Sequence, residues 1–299
     1  MKPKVGAIIL NWNTKYMTSV CANILLRSKY ENFELAIVDN GSTDGSVDYL
    51  VGKFGRKIKV IKNEKNLGYS LGFNRGIKYF VDKGFDYTMV LNSDAFLSYE
   101  SIGALVDVFR EKTDAGFVSG KVYRFDDPNR LLSVGLNYNW LTLTGKIVGA
   151  NEIDNGQYEN VKEFAFIDDV FMLMDCKMLK QVGFYDGDFF IQFEEADLIC
   201  RGKSLGYKAY YTPNAKAWHR ISISTGGTDS PLRYFYSFRN RIIFLYKNQT
   251  NLLFILFFLW NLIYLIPKTV FLFMSRKNIP VSRSIIAGSL DGIKHILKD

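Results

Sequence analysis

Carboxylates and amides collect where apolar runs stop. Ile37-Val38 runs into Asp39-Asn40-Gly41-Ser42-Thr43-Asp44-Gly45, and Met89-Val90-Leu91 into Asn92-Ser93-Asp94. A third acidic group, Glu194-Glu195-Ala196-Asp197, opens a segment with helical spacing. A carboxylate such as Asp39 can accept hydrogen bonds from a pyrimidine N–H or a ribose hydroxyl. Asp94 is suited to a hard divalent cation, which offsets negative charge on a diphosphate. A carboxylate in the third group can take the proton of an attacking hydroxyl. In an open α/β sheet ligands bind at the C-terminal edge of the strands, so a nucleotide and a cation suit the first two groups.

The elements that must position these groups alternate. Residues 5–10, 34–39, 58–61, 87–91 and 116–119 read as buried strands, and residues near 15–28, 44–53, 70–82 and 100–111 as helices. Such βα alternation predicts an α/β fold with a mostly parallel sheet covered on both faces. From 121 to 163 the pattern gives way to Gly-, Asn- and Asp-rich segments with short β-like pieces, read as a variable insertion on the acceptor side or as plain connecting loops.

With 299 residues, 48% of them hydrophobic, the chain can bury a sizeable core. Its three cysteines, Cys21, Cys176 and Cys200, are odd in number and widely spaced, which fits reduced packing residues and a cytoplasmic compartment. Residues 1–4 lead straight into a strand, without the pattern of a signal peptide. The net charge of +8 is confined to the tail: residues 231–299 hold 10 Lys/Arg and 2 Asp/Glu, leaving 28 of each in residues 1–230. A neutral first part argues against nucleic-acid binding. The basic tail also contains the apolar residues 252–266, then Pro267-Lys268, then 270–274. Residues 1–248 are therefore expected to form the catalytic domain and 249–299 a helical tail that spans or lies in a membrane, with a buried core helix as the alternative.

Six blocks in order carry a resemblance. Leu10-Asn11-Trp12-Asn13, Val38-Asp39-Asn40-Gly41-Ser42-Thr43-Asp44, Asn66-Leu67-Gly68 with Asn74-Arg75-Gly76, Leu91-Asn92-Ser93-Asp94, Val182-Gly183-Phe184-Tyr185-Asp186 and Phe193-Glu194-Glu195-Ala196-Asp197-Leu198 resemble family 2 glycosyltransferases, more narrowly their rhamnosyltransferase-like members, over roughly residues 5–247. The resemblance implies a GT-A fold, Rossmann-like, and inverting transfer of a sugar from a nucleotide-diphosphate donor, dTDP-rhamnose or a UDP-sugar. It also implies an acceptor hydroxyl on a glycan or lipid-linked glycan of cell-surface polysaccharide synthesis, at the cytoplasmic face of the membrane.

Asn11, Asn13, Asp39, Asn66, Gly68, Asn74, Arg75, Asn92 and Ser93 then fall to the donor, although Asp39 also suits a helix cap and Arg75 equally suits a neighbouring carboxylate. Asn92-Ser93-Asp94 stands where the family has D-x-D, with an amide replacing the first carboxylate, so Asp94 is the expected ligand of Mg²⁺ or Mn²⁺. His219 matches the family's C-terminal histidine, which reaches the metal or diphosphate; a hydrogen-bonded structural role is the alternative. Glu195 takes the place of the family's catalytic aspartate and is the expected base, beside Glu194 as a positioning or acceptor-contacting group that also favours the helix dipole. Asp197 is expected to pair with Arg201 at i+4. Trp140 is a candidate acceptor platform, and Arg239-Asn240 resembles the family's Arg-Asn helix. The competing reading is a degenerate site in a non-catalytic sugar-nucleotide or glycan-binding partner of a membrane assembly. A nucleotidyltransferase is disfavoured, because Leu10-Asn11-Trp12-Asn13-Thr14 stands where a Gly-rich loop would follow the first strand.

Overall fold

The computed structural model describes residues 2–139, 144–220, 230–276 and 278–298. Strands β1 (Val5–Asn11), β2 (Phe33–Asn40), β3 (Lys59–Asn63) and β4 (Tyr87–Asn92) alternate with helices α1 (Lys15–Leu25), α2 (Ser46–Phe54) and α3 (Gly68–Asp82). Beyond β4 come β5 (Ala95–Leu97), α4 (Ser101–Glu111), β6 (Ala115–Arg124), β7 (Leu131–Ser133), β8 (Gly135–Asn139), β9 (Thr144–Val148), β10 (Lys162–Phe164), β11 (Phe171–Asp175), α5 (Cys176–Val182), α6 (Glu194–Ser204) and β12 (Lys208–His219).

One sheet runs in the order β10-β12-β6-β11-β4-β1-β2-β3, with β5 on β12 and β7 on β6. The β3-β2-β1-β4 part is parallel, as alternation predicts. On its other side β11 pairs antiparallel with both β4 and β6, while β12 is parallel to β6, so the whole sheet is mixed. The reversal follows from the segment between β6 and β11, which turns back through β7 to β10 with no helix to make a right-handed crossover.

Alternate side chains of the strands fill two cores. Ile8, Val38 and Val90 meet Phe73, Ile77 and Phe80 of α3 on one face; Ile9, Ile37 and Leu91 belong with Leu25 of α1, Leu50 of α2 and Leu105 of α4 on the other. Each such side chain contributes roughly 1.5–3 kcal/mol by leaving water. Gly76 lets α3 lie close to the sheet, since a Cβ there would stand 2.7 Å from Ile8.

The tail is helical throughout: α7 (Pro231–Asn248), α8 (Asn251–Trp260), α9 (Ile266–Ser275) and α10 (Ile279–Ile296). A π-helical turn, Asn261–Leu265, joins α8 to α9, and Pro267 in the first turn of α9 leaves the rod continuous. Proline removes one N–H from the helical ladder, and a wider turn just before it accommodates that loss. The result is one helix, Leu252–Ser275, of 24 residues, mean hydropathy 1.8 and 11% buried over its most apolar window. At 1.5 Å per residue it is ~36 Å long, enough to cross a hydrocarbon core of ~30 Å.

Helix α10 returns and packs along α7. A Cβ on Gly288 would fall onto the Phe235 carbonyl oxygen, one on Gly292 would stand 2.8 Å from that of Arg239, and Arg239 Nε donates to Asp291 at 2.7 Å. Overpacking a close contact costs about 1–3 kcal/mol, whereas Gly to Ala in an open helix position gains about 1 kcal/mol. Gly52 of α2 is such a position, with nothing near its missing Cβ. Gly288→Ala is therefore expected to lower the melting temperature and Gly52→Ala to raise it; equal shifts in thermal melts would remove the α7–α10 contact.

Candidate active site

Because β1, β2, β3 and β4 run parallel, their last residues, Asn11, Asn40, Asn63 and Asn92, share one sheet edge. A cavity of about 960 Å³ opens at that edge, at the upper end of the range of ligand pockets. Asn66, Gly68, Asn92, Ser93, Asp94, Glu194, Glu195 and His219 all line it. Asn11, Asn13, Asp39, Asn74 and Arg75 are not among its lining residues.

The amides on the edge are tied into the turns around them. Asn11 Nδ2 donates to Asp39 Oδ1 at 2.7 Å, the Ser42 N–H donates to Asp39 Oδ2 at 3.1 Å, and Thr18 donates to Asn11 Oδ1 at 2.7 Å. Asp39 is thus fully buried and shapes the turn after β2. Asn13 accepts from the Thr43 N–H at 2.8 Å. Asn74 clasps Tyr185 through both its N–H and its carbonyl, at 3.0 and 2.7 Å, and Arg75 is exposed.

Asn40, absent from the sequence expectations, donates to Asn66 Oδ1 and to the Gly68 carbonyl, both at 2.9 Å, and so shapes the start of α3. Gly68 has φ +79°, and a Cβ there would meet Phe190 at 2.5 Å. Only glycine lets α3 come so close to the loop that leads into α6.

Strand pairing assembles the second group. His219 ends β12 opposite Ala95 of β5, directly after the Ser93-Asp94 turn, and its Nε2 lies 3.1 Å from Asp94 Oδ1. A carboxylate oxygen and an imidazole nitrogen facing one cavity are the donor types that divalent cations take. Asn92 Oδ1 accepts a hydrogen bond from the Tyr69 hydroxyl at 3.1 Å, which also reaches the Asp169 carbonyl at 3.1 Å.

Glu194 and Glu195 start α6, and the chain arrives there through two consecutive residues with positive φ, Gln192 at +73° and Phe193 at +72°. Left-handed non-glycine residues cost of order 1–3 kcal/mol each. The cost is met from several sides: Asn240 Nδ2 donates to the carbonyls of Ile191 and Gln192 at 2.8 and 2.9 Å, Arg239 to that of Asp188 at 2.7 Å, Ser70 to that of Phe189, and the Tyr69 N–H to that of Phe190 at 2.7 Å. Arg239-Asn240 of α7 is thereby the clamp on the acidic loop. Asp197 faces away and pairs with Arg201 at 2.8 Å, as its i+4 spacing predicts, and with Asn248 at 3.0 Å.

Asp168 and Asp169 also line the cavity and were not anticipated. One carboxylate oxygen each of Asp169, Glu194 and Glu195 lies within 4.8 Å of the others, close enough to share a proton or a cation. Burial first, and then the Asp169 charge, pushes Glu195 up to about 8; burial and the Glu195 charge hold Glu194 well above the usual carboxylate range, and burial with the Asp168 charge raises Asp169. The acidic pair precedes an apolar strand instead of following one, but β11 runs antiparallel to β4, with Phe171 opposite Leu91, so its start shares the edge where β4 ends. Leu136, Tyr138 and Phe166 from the β8 region and Tyr236 and Arg241 of α7 line the cavity as well. Trp140 lies outside the described residues.

Similarity to known proteins agrees with this geometry. Over 195 residues the chain is 29% identical to the glycosyltransferase GlyG of Streptococcus pneumoniae serotype 4 (strain ATCC BAA-334 / TIGR4), covering 62% of each chain. It is 23% identical over 204 residues to the poly-beta-1,6-N-acetyl-D-glucosamine synthase of Staphylococcus aureus (strain COL), covering 68% of this chain and 46% of that one, so less than two thirds of either relative's length is spanned. Among solved structures, the mannosyltransferase PcManGT from Pyrobaculum calidifontis, in complex with GDP-Man and Mn²⁺, superposes with TM-score 0.62 at 12% identity over 98% of this chain and 88% of that one. GalNAc-T7 with UDP, GalNAc and Mn²⁺ does so with TM-score 0.63 at 12% identity over 82% and 48%. These likenesses establish the GT-A fold. The sequence model described as Glycosyl transferase family 2 matches residues 8–183, more than half of the chain, and the chain belongs to that family.

Proposed function

We propose that the protein is an inverting, cation-dependent glycosyltransferase that moves a sugar from dTDP-rhamnose or a UDP-sugar to a hydroxyl of a glycan or lipid-linked glycan in cell-surface polysaccharide synthesis. The observation that carries the reading is the shared cavity: Asp94 with His219, and Glu195 at the start of α6, both face it. The donor reading assigns the amide-lined floor around Asn66, Gly68, Asn92 and Ser93 to the nucleotide sugar, with Asn11 and Asp39 supporting it from below.

Asp94 and His219 would hold Mg²⁺ or Mn²⁺, which when bound neutralises charge on the departing diphosphate. Glu195 accepts the proton of the acceptor hydroxyl as that oxygen forms its bond to the anomeric carbon. The diphosphate leaves with the electron pair of the broken bond, and attack from the face opposite to it inverts the carbon. Glu194, buried beside Glu195, keeps the start of α6 in place.

Residues 1–248 form the proposed catalytic unit and 249–299 the proposed membrane-associating tail. Support for the tail comes from the exposed apolar helix Leu252–Ser275 and from basic neighbours such as Arg276 and Arg283, which suit anionic lipid on a cytoplasmic leaflet. A membrane-borne acceptor would then be presented at the α7 side of the cavity, where Arg241 stands over the ring of Phe257 from α8 at 4.9 Å.

Replacing Glu195 by Gln is expected to lower kcat by about 10²–10⁴-fold while donor binding, read as stabilisation by UDP with Mn²⁺, is unchanged. A variant that keeps its turnover would remove Glu195 as base. A base acts only when deprotonated, and burial raises Glu195 to about 8. kcat/KM should therefore climb as pH rises through 7–8, level off above, and fall on acidification; a limb at pH 4–5 would contradict the buried setting. Changing Leu256, Leu259 and Ile263, all exposed, to Ser together should abolish co-sedimentation with vesicles of phosphatidylglycerol and phosphatidylcholine, and unchanged co-sedimentation would remove the membrane role.

A further inference from the structure

Asp169 has no place in the proton transfer as written, yet it stands next to the group that performs it. Its carboxylate oxygen lies within 4.8 Å of one from Glu194 and one from Glu195. Asp168 adjoins it, with Ser133 and His219 on the far side of Asp168; Tyr185 from the loop before α6 donates to Asp169 Oδ2 at 3.1 Å; Tyr69 from α3 donates to its carbonyl at 3.1 Å. Among the described residues no Lys, Arg or His forms an ion pair with Asp169, Glu194 or Glu195. Moreover, one oxygen of Glu194, whose residue is 3% exposed, has no hydrogen-bond partner. Three carboxylates so close in a low-dielectric wall do not all stay ionised, and a buried oxygen without a donor is costly.

We infer that Asp169 is a positioning residue for the transfer: a proton held among Asp169, Glu194 and Glu195 ties the start of α6 to the start of β11 and fixes Glu195 toward the cavity. The inference rests on Glu195 being the base. The proton balance is simple. The acceptor's proton goes to Glu195, the new bond joins the acceptor oxygen to the anomeric carbon, and the bonding pair of the old one leaves with the diphosphate. The proton already held by the cluster is present before and after. Removing the neighbouring charge makes Glu195 easier to ionise, since a like charge disfavours the charged form. The raised proton affinity of Glu195, for which Asp169 is the second cause after burial, agrees with this arrangement.

Asp169→Asn keeps an acceptor for the Tyr185 hydroxyl while removing the charge, and Asp169→Glu keeps the charge. In full-length protein of unaltered melting temperature, the acidic limb of kcat/KM is expected to move down by about one pH unit in Asp169→Asn, with donor KM unchanged, and to stay near the wild-type position in Asp169→Glu. A limb that does not move in Asp169→Asn would overturn the inference. So would a loss of Mn²⁺ affinity in Asp169→Asn that Asp94→Asn does not show, because the cluster would then be holding a cation. If Glu195→Gln is inactive and the limb stays put, the base survives and the role of Asp169 falls; if Glu195→Gln is active, the base itself is wrong.

Discussion

The site depends on one strained connection. Gln192 and Phe193 are both left-handed, and the buried Asn240 side chain, donating to the carbonyls of Ile191 and Gln192, helps hold the angle at which the chain enters α6. The same loop is gripped from α3 through Ser70 and Tyr69, whose approach needs Gly68. Residues far apart in sequence thus cooperate to turn Glu194 and Glu195 into the cavity. Strain of a few kcal/mol persists only where the surroundings over-determine it. Here they do so on two sides, and α10 backs α7 through Arg239 and Asp291.

This arrangement divides the cavity by charge. One side is floored by amides whose own hydrogen bonds are largely satisfied within the protein, a rigid neutral surface with the Asp94–His219 pair at its rim. The other carries Asp169, Glu194 and Glu195 in a wall poor in compensating cations. In a low-dielectric setting that contrast is large: burial and neighbouring like charge raise the proton affinity of the acidic wall, so its carboxylates take up a proton more readily than exposed ones. On the proposed reading, one cavity holds both a charged leaving group and a proton acceptor.

Much of the fold was legible because it is local. Apolar runs of strand length, separated by helical spacing, place β1 to β4 and α1 to α4 within a few residues of where they lie. Polar residues after a strand identify the sheet edge, so Asn92, Ser93 and Asp94 could be found by reading. Their counterparts Asp168 and Asp169 could not be found by the same rule, because they precede a strand whose direction is set only by its pairing with β4 and β6. Asn74 and Arg75 sit in a block that suggests a ligand, yet Asn74 spends its hydrogen bonds on Tyr185 and Arg75 faces solvent. The π-helical turn before Pro267 was equally hidden, since Pro-Lys reads as a break until the helix around it is seen to absorb the missing N–H. Spacing reports which face a residue shares; it does not report what the opposite face brings.

On the proposed reading a cation held by Asp94 and His219 shares one cavity with the base Glu195. Anomalous diffraction from crystals grown with UDP and Mn²⁺ addresses it directly. The expected peak lies beside Asp94 and His219, with the diphosphate next to it and Glu195 free of metal. A peak among Asp169, Glu194 and Glu195, with none at Asp94, would contradict it.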